Sequence, residues 1–218
     1  MKNAIALFSG GKDSMLSIIR AVRMGYQVKQ LLFMVPTLPL PNPHLENVHI
    51  VRRISDSMGI PIKIVELEEG REQESLAEAI KQTDNTEALV AGDVLLEDHV
   101  KWHKKVCELC GLELIEPLYG EDTSNLYREL FKYGIEFTII GVTPQLPRDL
   151  IGTRVHGGNS DHILTLLKAH RSDPIGEYGE YHTLVNNSPL MKIPLNYTLH
   201  YTVNKGDYGS YGICNIAP

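Results

Sequence analysis

A doubly wound α/β domain followed by a smaller α+β piece is the fold class that the sequence predicts, and three observations predict it. Up to about residue 141, short apolar runs alternate with longer segments of helical period, as in a parallel sheet built from βαβ units. Gly25, Gly59, Gly111 and Gly134 each stand just past a helical segment, where a glycine takes the left-handed backbone that ends a helix. Beyond residue 141 the texture changes to loops rich in Pro, Gly and Tyr with only short alternating runs.

In chain order, the first strand is expected at Ala4 to Phe8 and the first helix at Ser14 to Met24. Strands at Gln30 to Val35 and Ile62 to Leu67 bracket a helix at Leu45 to Met58. A helix at Glu72 to Lys81 leads to a strand at Ala88 to Ala91, and one at Glu97 to Cys110 leads to a weaker strand at Glu113 to Ile115. A helix at Asn125 to Tyr133 and a strand at Phe137 to Gly141 complete the parallel sheet. After the loop Val142 to Leu150 come a glycine-rich stretch, a helix at Asp161 to Ala169 and an alternating run at Tyr197 to Val203. The boundary is placed near residue 150, giving a nucleotide domain over 1–150 and a dependent piece over 151–218.

With 21 Lys and Arg against 27 Asp and Glu, the net charge of −6 excludes a general nucleic-acid or membrane-surface binder, which needs a basic face. No signal peptide or membrane span is read, and three cysteines fit a reducing compartment, so a cytoplasmic location is expected.

The chemistry concentrates in Ser9-Gly10-Gly11-Lys12-Asp13-Ser14, between the first strand and the first helix. That turn lies at the carboxyl end of a strand, where open α/β sheets bind ligands. Adjacent glycines let backbone N–H groups converge on an anion at a helix N-terminus. Lys12 adds a mobile positive charge, Asp13 can hold magnesium, and Ser9 and Ser14 offer hydroxyls. The loop is neither a Walker A motif nor a dinucleotide fingerprint. The blander alternative is a glycine turn capped by Ser14. A second constellation, Asp173-Pro174-Ile175-Gly176-Glu177-Tyr178-Gly179-Glu180-Tyr181-His182-Thr183, gathers acids and an imidazole. Glu177 and Glu180 suit a cation or an amine, and His182 titrates in the range for acid–base work. An acidic loop entering a strand is the alternative.

The first loop resembles the SGGKDS PP-loop of the N-type ATP pyrophosphatases, which cleave ATP between its α and β phosphates. That resemblance implies a Rossmann-like parallel sheet with helices on both faces, of the adenine nucleotide alpha hydrolase-like kind. Adenine would lie beside the second strand, Leu31 to Val35, which makes Phe33 a candidate contact. The second segment, followed by Ser188-Pro189-Leu190, resembles the GEGGEYET motif and downstream Ala-Pro of the diphthine-ammonia ligase family. Ala91-Gly92-Asp93-Val94, Cys107 through Pro117, and Ile151-Gly152-Thr153-Arg154 extend the likeness over nearly the whole chain.

What the resemblance implies is an ATP- and Mg2+-dependent ligase that adenylates a carboxylate, diphthine on elongation factor 2, and couples it to ammonia with release of AMP and pyrophosphate. Ser9, Gly10, Gly11, Lys12, Asp13 and Ser14 would hold the nucleotide, with Phe33 and Asp93 at its edge. Lys12, Asp13, Glu177, Glu180 and His182 would serve catalysis, with Asp13 as the magnesium ligand. Two departures stand out: His182 replaces a glutamate of many relatives, and Thr153 interrupts the LGR run. The acceptor therefore stays open between diphthine and a small, corrinoid-like carboxylate. A tRNA-modifying PP-loop enzyme and a non-catalytic ATP sensor are the rival readings, and a homo-oligomer is compatible with all of them.

Weaker signals remain. Cys107 and Cys110 form a C-x-x-C that reads as two core thiols, with a redox or metal pair as the alternative. His99 and His103 share a helix face at the spacing of metal ligands, but read as a solvated face with Trp102 packed inward. The Pro-rich loop Val35 to Pro43 is either a rim over the adenine or a plain crossover.

Overall fold

In the computed structural model, which describes residues 1–38 and 40–216, the first apolar run forms β1 (Lys2–Leu7) and runs into α1 (Lys12–Arg23). β2 (Tyr26–Val35), β3 (Ile62–Glu66), β4 (Ala88–Val90) and β5 (Glu113–Ile115) join β1 in a fully parallel sheet of order β3-β2-β1-β4-β5. The helices expected at 72–81 and 97–110 form α4 (Glu72–Lys81) and α5 (Glu97–Cys110). Ile5 and Leu7 point to one face of the sheet and Ala4 and Ala6 to the other, and all four are buried. Burial on both sides is why these strands read as continuous apolar runs rather than alternating ones. The Ile5 face continues through Leu32, Val65 and Leu89, and Leu76, Ile80, Val106 and Cys107 of α4 and α5 cover it.

The strand order reverses at β1, with β2 on one side and β4 on the other, which is where an open α/β sheet leaves a crevice at the carboxyl ends of its strands. Gly92, just past β4, makes room there. A Cβ on it would stand 3.2 Å from the Asp13 carbonyl oxygen and 3.3 Å from Ser17 Oγ, so any side chain here would push the start of α1 outward by a few tenths of an ångström. The four glycines expected to end helices, Gly25, Gly59, Gly111 and Gly134, all take positive φ, from 69° to 95°.

The chain divides into two compact units. The first comprises Met1–Ser9, Asp13–Leu40 and Ile60–Gly120. The second comprises Gly10–Lys12, Pro41–Gly59 and Glu121–Pro218, so the units do not part at residue 150 as the sequence predicts. The reason is a second sheet, antiparallel throughout. β6 (Glu136–Val142), expected as the sixth parallel strand, pairs instead with β7 (Arg154–Val155), β8 (Tyr181–Asn187) and β10 (Ser210–Ile216). β9 (Tyr197–Asn204) extends it by pairing with β10.

Helices of this unit include α6 (Thr123–Lys132) and α7 (Ser160–Ala169), tied by the Tyr127 hydroxyl donating to Ser160 O at 2.9 Å. The single helix expected at 45–58 is two, α2 (Pro43–Glu46) and α3 (Val48–Met58), broken at Asn47. Buried Asn47 is fully used: Nδ2 donates to Pro43 O at 2.8 Å and Gly212 O at 2.9 Å, while Oδ1 accepts from Cys214 N at 2.8 Å. One side chain thereby fixes the helix junction and the placement of β10. In the Pro-rich loop, residue 39 lies outside the described residues. The far end of that loop is set by Asn42, whose Oδ1 accepts from the amides of His44 and Leu45. Among the described residues, no helix is long and apolar enough to cross a membrane.

Candidate active site

Ser9 to Ser14 follow β1 directly, with Lys12 as the first residue of α1. The hydroxyls of Ser9 and Ser14 stand 3.4 Å apart. Gly10 sits at φ +83°, and a Cβ on it would meet Val51 at 3.0 Å and Leu184 at 3.1 Å, so this turn tolerates no side chain. Its carbonyl accepts from Val185 N at 2.9 Å, which fastens the glycines to β8.

Lys12 departs from the expectation of a mobile charge. It is 1% exposed. Its amide donates to Thr183 Oγ1 at 3.2 Å, its ammonium donates to Ile175 O at 2.5 Å, and Nζ lies 4.6 Å from the centroid of the Tyr181 ring. The ring is held in turn by its hydroxyl, which donates to Pro174 O at 2.6 Å. The two motifs that the sequence singled out therefore meet at one lysine.

Within the second motif the side chains separate by role. Glu180 is buried, and both carboxylate oxygens are occupied by backbone: Oε1 accepts from Asp173 N at 2.9 Å and Oε2 from Tyr178 N at 3.0 Å. It braces its own loop rather than facing outward, as expected of an acceptor-binding acid. Asp173 braces the same loop through Oδ1, which accepts from Ile175 N at 2.9 Å. Gly176, at φ +69°, lies so close to Tyr181 that a Cβ would fall 2.7 Å from the ring. Glu177 is half-buried between these fixed points.

His182 also departs from expectation. It meets His44 edge to face at 5.3 Å between centroids. Burial, with the Lys12 charge adding to it, pushes the imidazole down to about 4, so it is neutral across the physiological range. It can accept or relay a proton only against that bias.

The remaining candidates belong to the first unit. Phe33 is 2% exposed, so its ring is a core side chain and offers no open face to an adenine. Asp93, in the turn after β4, is engaged on both oxygens: Oδ1 lies 2.9 Å from His99 Nδ1 and Oδ2 lies 3.0 Å from His103 Nδ1. His103 Nδ1 also stands 3.1 Å from Glu116 Oε1. The expected solvated face of α5 is thus wrong for His103, which is 6% exposed, because two carboxylates draw it inward. Burial alone would lower this imidazole, but the bonds to Asp93 and Glu116 outweigh it and hold it up to about 9. The bonds from His103 and His99 hold Asp93 below the usual carboxylate range against the effect of burial. Neither His103 nor Glu116 stands among the expected site residues, although the His99–His103 spacing carried a signal. Cys107 packs in the core, and burial pushes its thiol up to about 12, which leaves no reactive thiolate.

Comparison with known proteins adds three findings. A family model described as the diphthamide synthase N-terminal domain matches residues 1–114. A Rattus norvegicus protein named diphthine-ammonia ligase is 26% identical over 212 residues, covering 86% of this chain and 79% of its own length. Its Homo sapiens namesake is 24% identical with the same coverage. The Schizosaccharomyces pombe protein of that name is 26% identical, and the match covers 35% of its length. Among solved structures, a predicted subunit of tRNA methyltransferase from Methanocaldococcus jannaschii aligns with a TM-score of 0.50 at 15% identity, covering 87% of this chain and 98% of that one. At that identity the likeness concerns the fold alone.

Proposed function

The chain belongs to the diphthamide synthase N-terminal domain family, and on that premise we propose that it is a cytoplasmic ATP-dependent ligase that forms an amide from a carboxylate and ammonia. The acceptor we assign is the diphthine side chain of elongation factor 2, after the name its relatives carry.

One observation supports this reading above the others. The glycine loop after β1 and the segment 175–183 converge on Lys12, through its amide on Thr183 and its ammonium on Ile175. An amide ligase of this kind must bring a polyphosphate leaving group and an acceptor carboxylate to the same place, because charge builds on the bridging oxygen as the carboxylate attacks.

The residues present fit a triphosphate. A helix N-terminus, a glycine turn closed to any Cβ, two hydroxyls and a buried ammonium make a donor set with little freedom left to lose on binding. Ser9, Gly10, Gly11, Lys12 and Ser14 hold the phosphates in this reading. Asp13 supplies a carboxylate for magnesium, which when bound adds positive charge at the departing phosphates. Glu177 is the acid we assign to the acceptor or the incoming ammonia, whereas Glu180 and Asp173 hold its loop in shape. His182, neutral and set against His44, adds no second positive charge beside Lys12.

The test is pyrophosphate release by the purified protein given ATP, ammonia and elongation factor 2 bearing diphthine. Release that requires both ammonia and the factor is the expected result. Release that requires ammonia but is driven by a small carboxylate instead keeps the chemistry and reassigns the acceptor. Turnover indifferent to ammonia and to every carboxylate would refute the ligase.

A further inference from the structure

Asp93, His103 and Glu116 come from three elements: the turn after β4, the middle of α5, and the residue after β5. One potential donor atom from each lies within 4.8 Å of the other two. We propose that these three side chains form a binding site for a divalent transition-metal ion of the zinc type, distinct from any magnesium that accompanies a nucleotide.

Convergence of donors out of water is the first argument. The side chains of Asp93, His103 and Glu116 are only 14%, 8% and 7% exposed, and His103 Nδ1 lies between an oxygen of each carboxylate. Two carboxylates shielded from solvent side by side are costly unless a cation joins them. The second argument is an atom left over. Glu116 has a side chain only 7% exposed, yet among the described residues its Oε2 is buried with no hydrogen-bond partner. A carboxylate oxygen kept dry without a donor is what a cation would satisfy.

Geometry and donor type narrow the ion. His103 presents Nδ1 to both carboxylates at 3.0 and 3.1 Å, separations that need to open only slightly for three ligands about 2.0 to 2.2 Å from a common ion. Its ring is set by Trp102, packed edge to face at 5.4 Å between centroids. Outside the three ligands, His99 holds the other oxygen of Asp93, the kind of hydrogen bond that orients a ligating carboxylate. An imidazole among carboxylates favours zinc or its neighbours over magnesium and calcium, which prefer all-oxygen shells. Three protein ligands leave a position open for water or for a ligand atom.

The experiment uses the full chain freed of metal with a chelator, then titrated calorimetrically with Zn2+ and, in parallel, with Co2+ as a visible-spectrum probe. Expected are one ion per chain, Co2+ d–d bands without a thiolate charge-transfer band, and a Zn2+-dependent rise in melting temperature. Glu116→Gln, with its metal-free circular dichroism unchanged, should weaken binding by about 10-fold or more. Cys107→Ser with Cys110→Ser should leave binding intact. The proposal is overturned by an absence of saturable binding to the wild-type chain, which needs no variant to fold. Binding undiminished in both Glu116→Gln and His103→Gln, or lost with the two cysteines, overturns it as well.

Discussion

His182 in the second unit and His103 in the first are both taken largely out of water, and their imidazoles are driven in opposite directions, one down to about 4 and the other up to about 9. Burial lowers both. The difference lies in the neighbours: a lysine ammonium acts on His182, whereas two carboxylates bond to His103. The second unit has thus built a surrounding that favours neutral and anionic groups near Lys12, suited to a phosphate. The first has built one that demands a positive charge. Removing the partners should dismantle the contrast.

The largest effect is expected at Lys12. Lys12→Ala removes the ammonium aimed at Ile175 and the charge that depresses His182. Pyrophosphate release in the coupled assay should fall by about 100-fold or more, the usual consequence of losing one preorganised donor at a developing charge. A variant that releases pyrophosphate at the wild-type rate would end the assignment of this residue.

The two histidines should next reveal themselves at opposite ends of the pH scale. Between the folded value of about 4 and the unfolded 6.5, the unfolded chain binds the His182 proton more readily. Its contribution to stability is therefore complete above about 6.5 and is lost as pH falls toward 4. For His103 the sign reverses: the contribution is complete below 6.5 and is lost as pH rises through about 9. Each limb is worth at most about 3 kcal/mol from the size of the shift. Melting of chelator-treated protein across this range should show His182→Gln flattening the acid limb and His103→Gln the alkaline one. An alkaline limb untouched by His103→Gln would mean that Asp93 and Glu116 do not hold its proton.

The units also differ in how much of them the sequence disclosed. The parallel sheet was readable because its central strands are apolar on both faces and α1 and α5 are followed by the stop glycines Gly25 and Gly111, signals that are local in the chain. In the second unit, β8 hides its strand character. Tyr181–Asn187 is buried along most of its length, but Thr183 and Asn186 sit inside through hydrogen bonds, Thr183 to the Lys12 amide and Asn186 to Thr138 and Leu195. No hydrophobic period survives such a pattern. β10 carries Gly212 and Asn215 and takes its position partly from Asn47, 165 residues away in the chain. β6 was legible as a strand but not as an antiparallel one, since a run buried on both faces looks the same in either sheet. At the site, the glycine loop announced itself through adjacent residues. The Asp93–His103–Glu116 group draws on three elements, and only the His99–His103 spacing hinted at it.

The finest division lies inside the second motif, where Glu180 and Glu177 are three residues apart and carry the same side chain. Glu180 spends both oxygens on the amides of Asp173 and Tyr178. Glu180→Gln turns one acceptor into a donor facing an N–H, so it should cost about 1 to 3 kcal/mol of stability, read as a lower melting temperature. Amide formation should then fall only as far as the loop loosens, with the Michaelis constant for the acceptor rising more than the turnover number drops. Glu177→Gln should instead lower the turnover number for amide formation by a larger factor than it raises the Michaelis constant for the acceptor. If the two variants behave alike in both measurements, Glu177 is another brace. The chemistry at the acceptor would then rest on Lys12 and on groups that the acceptor itself brings.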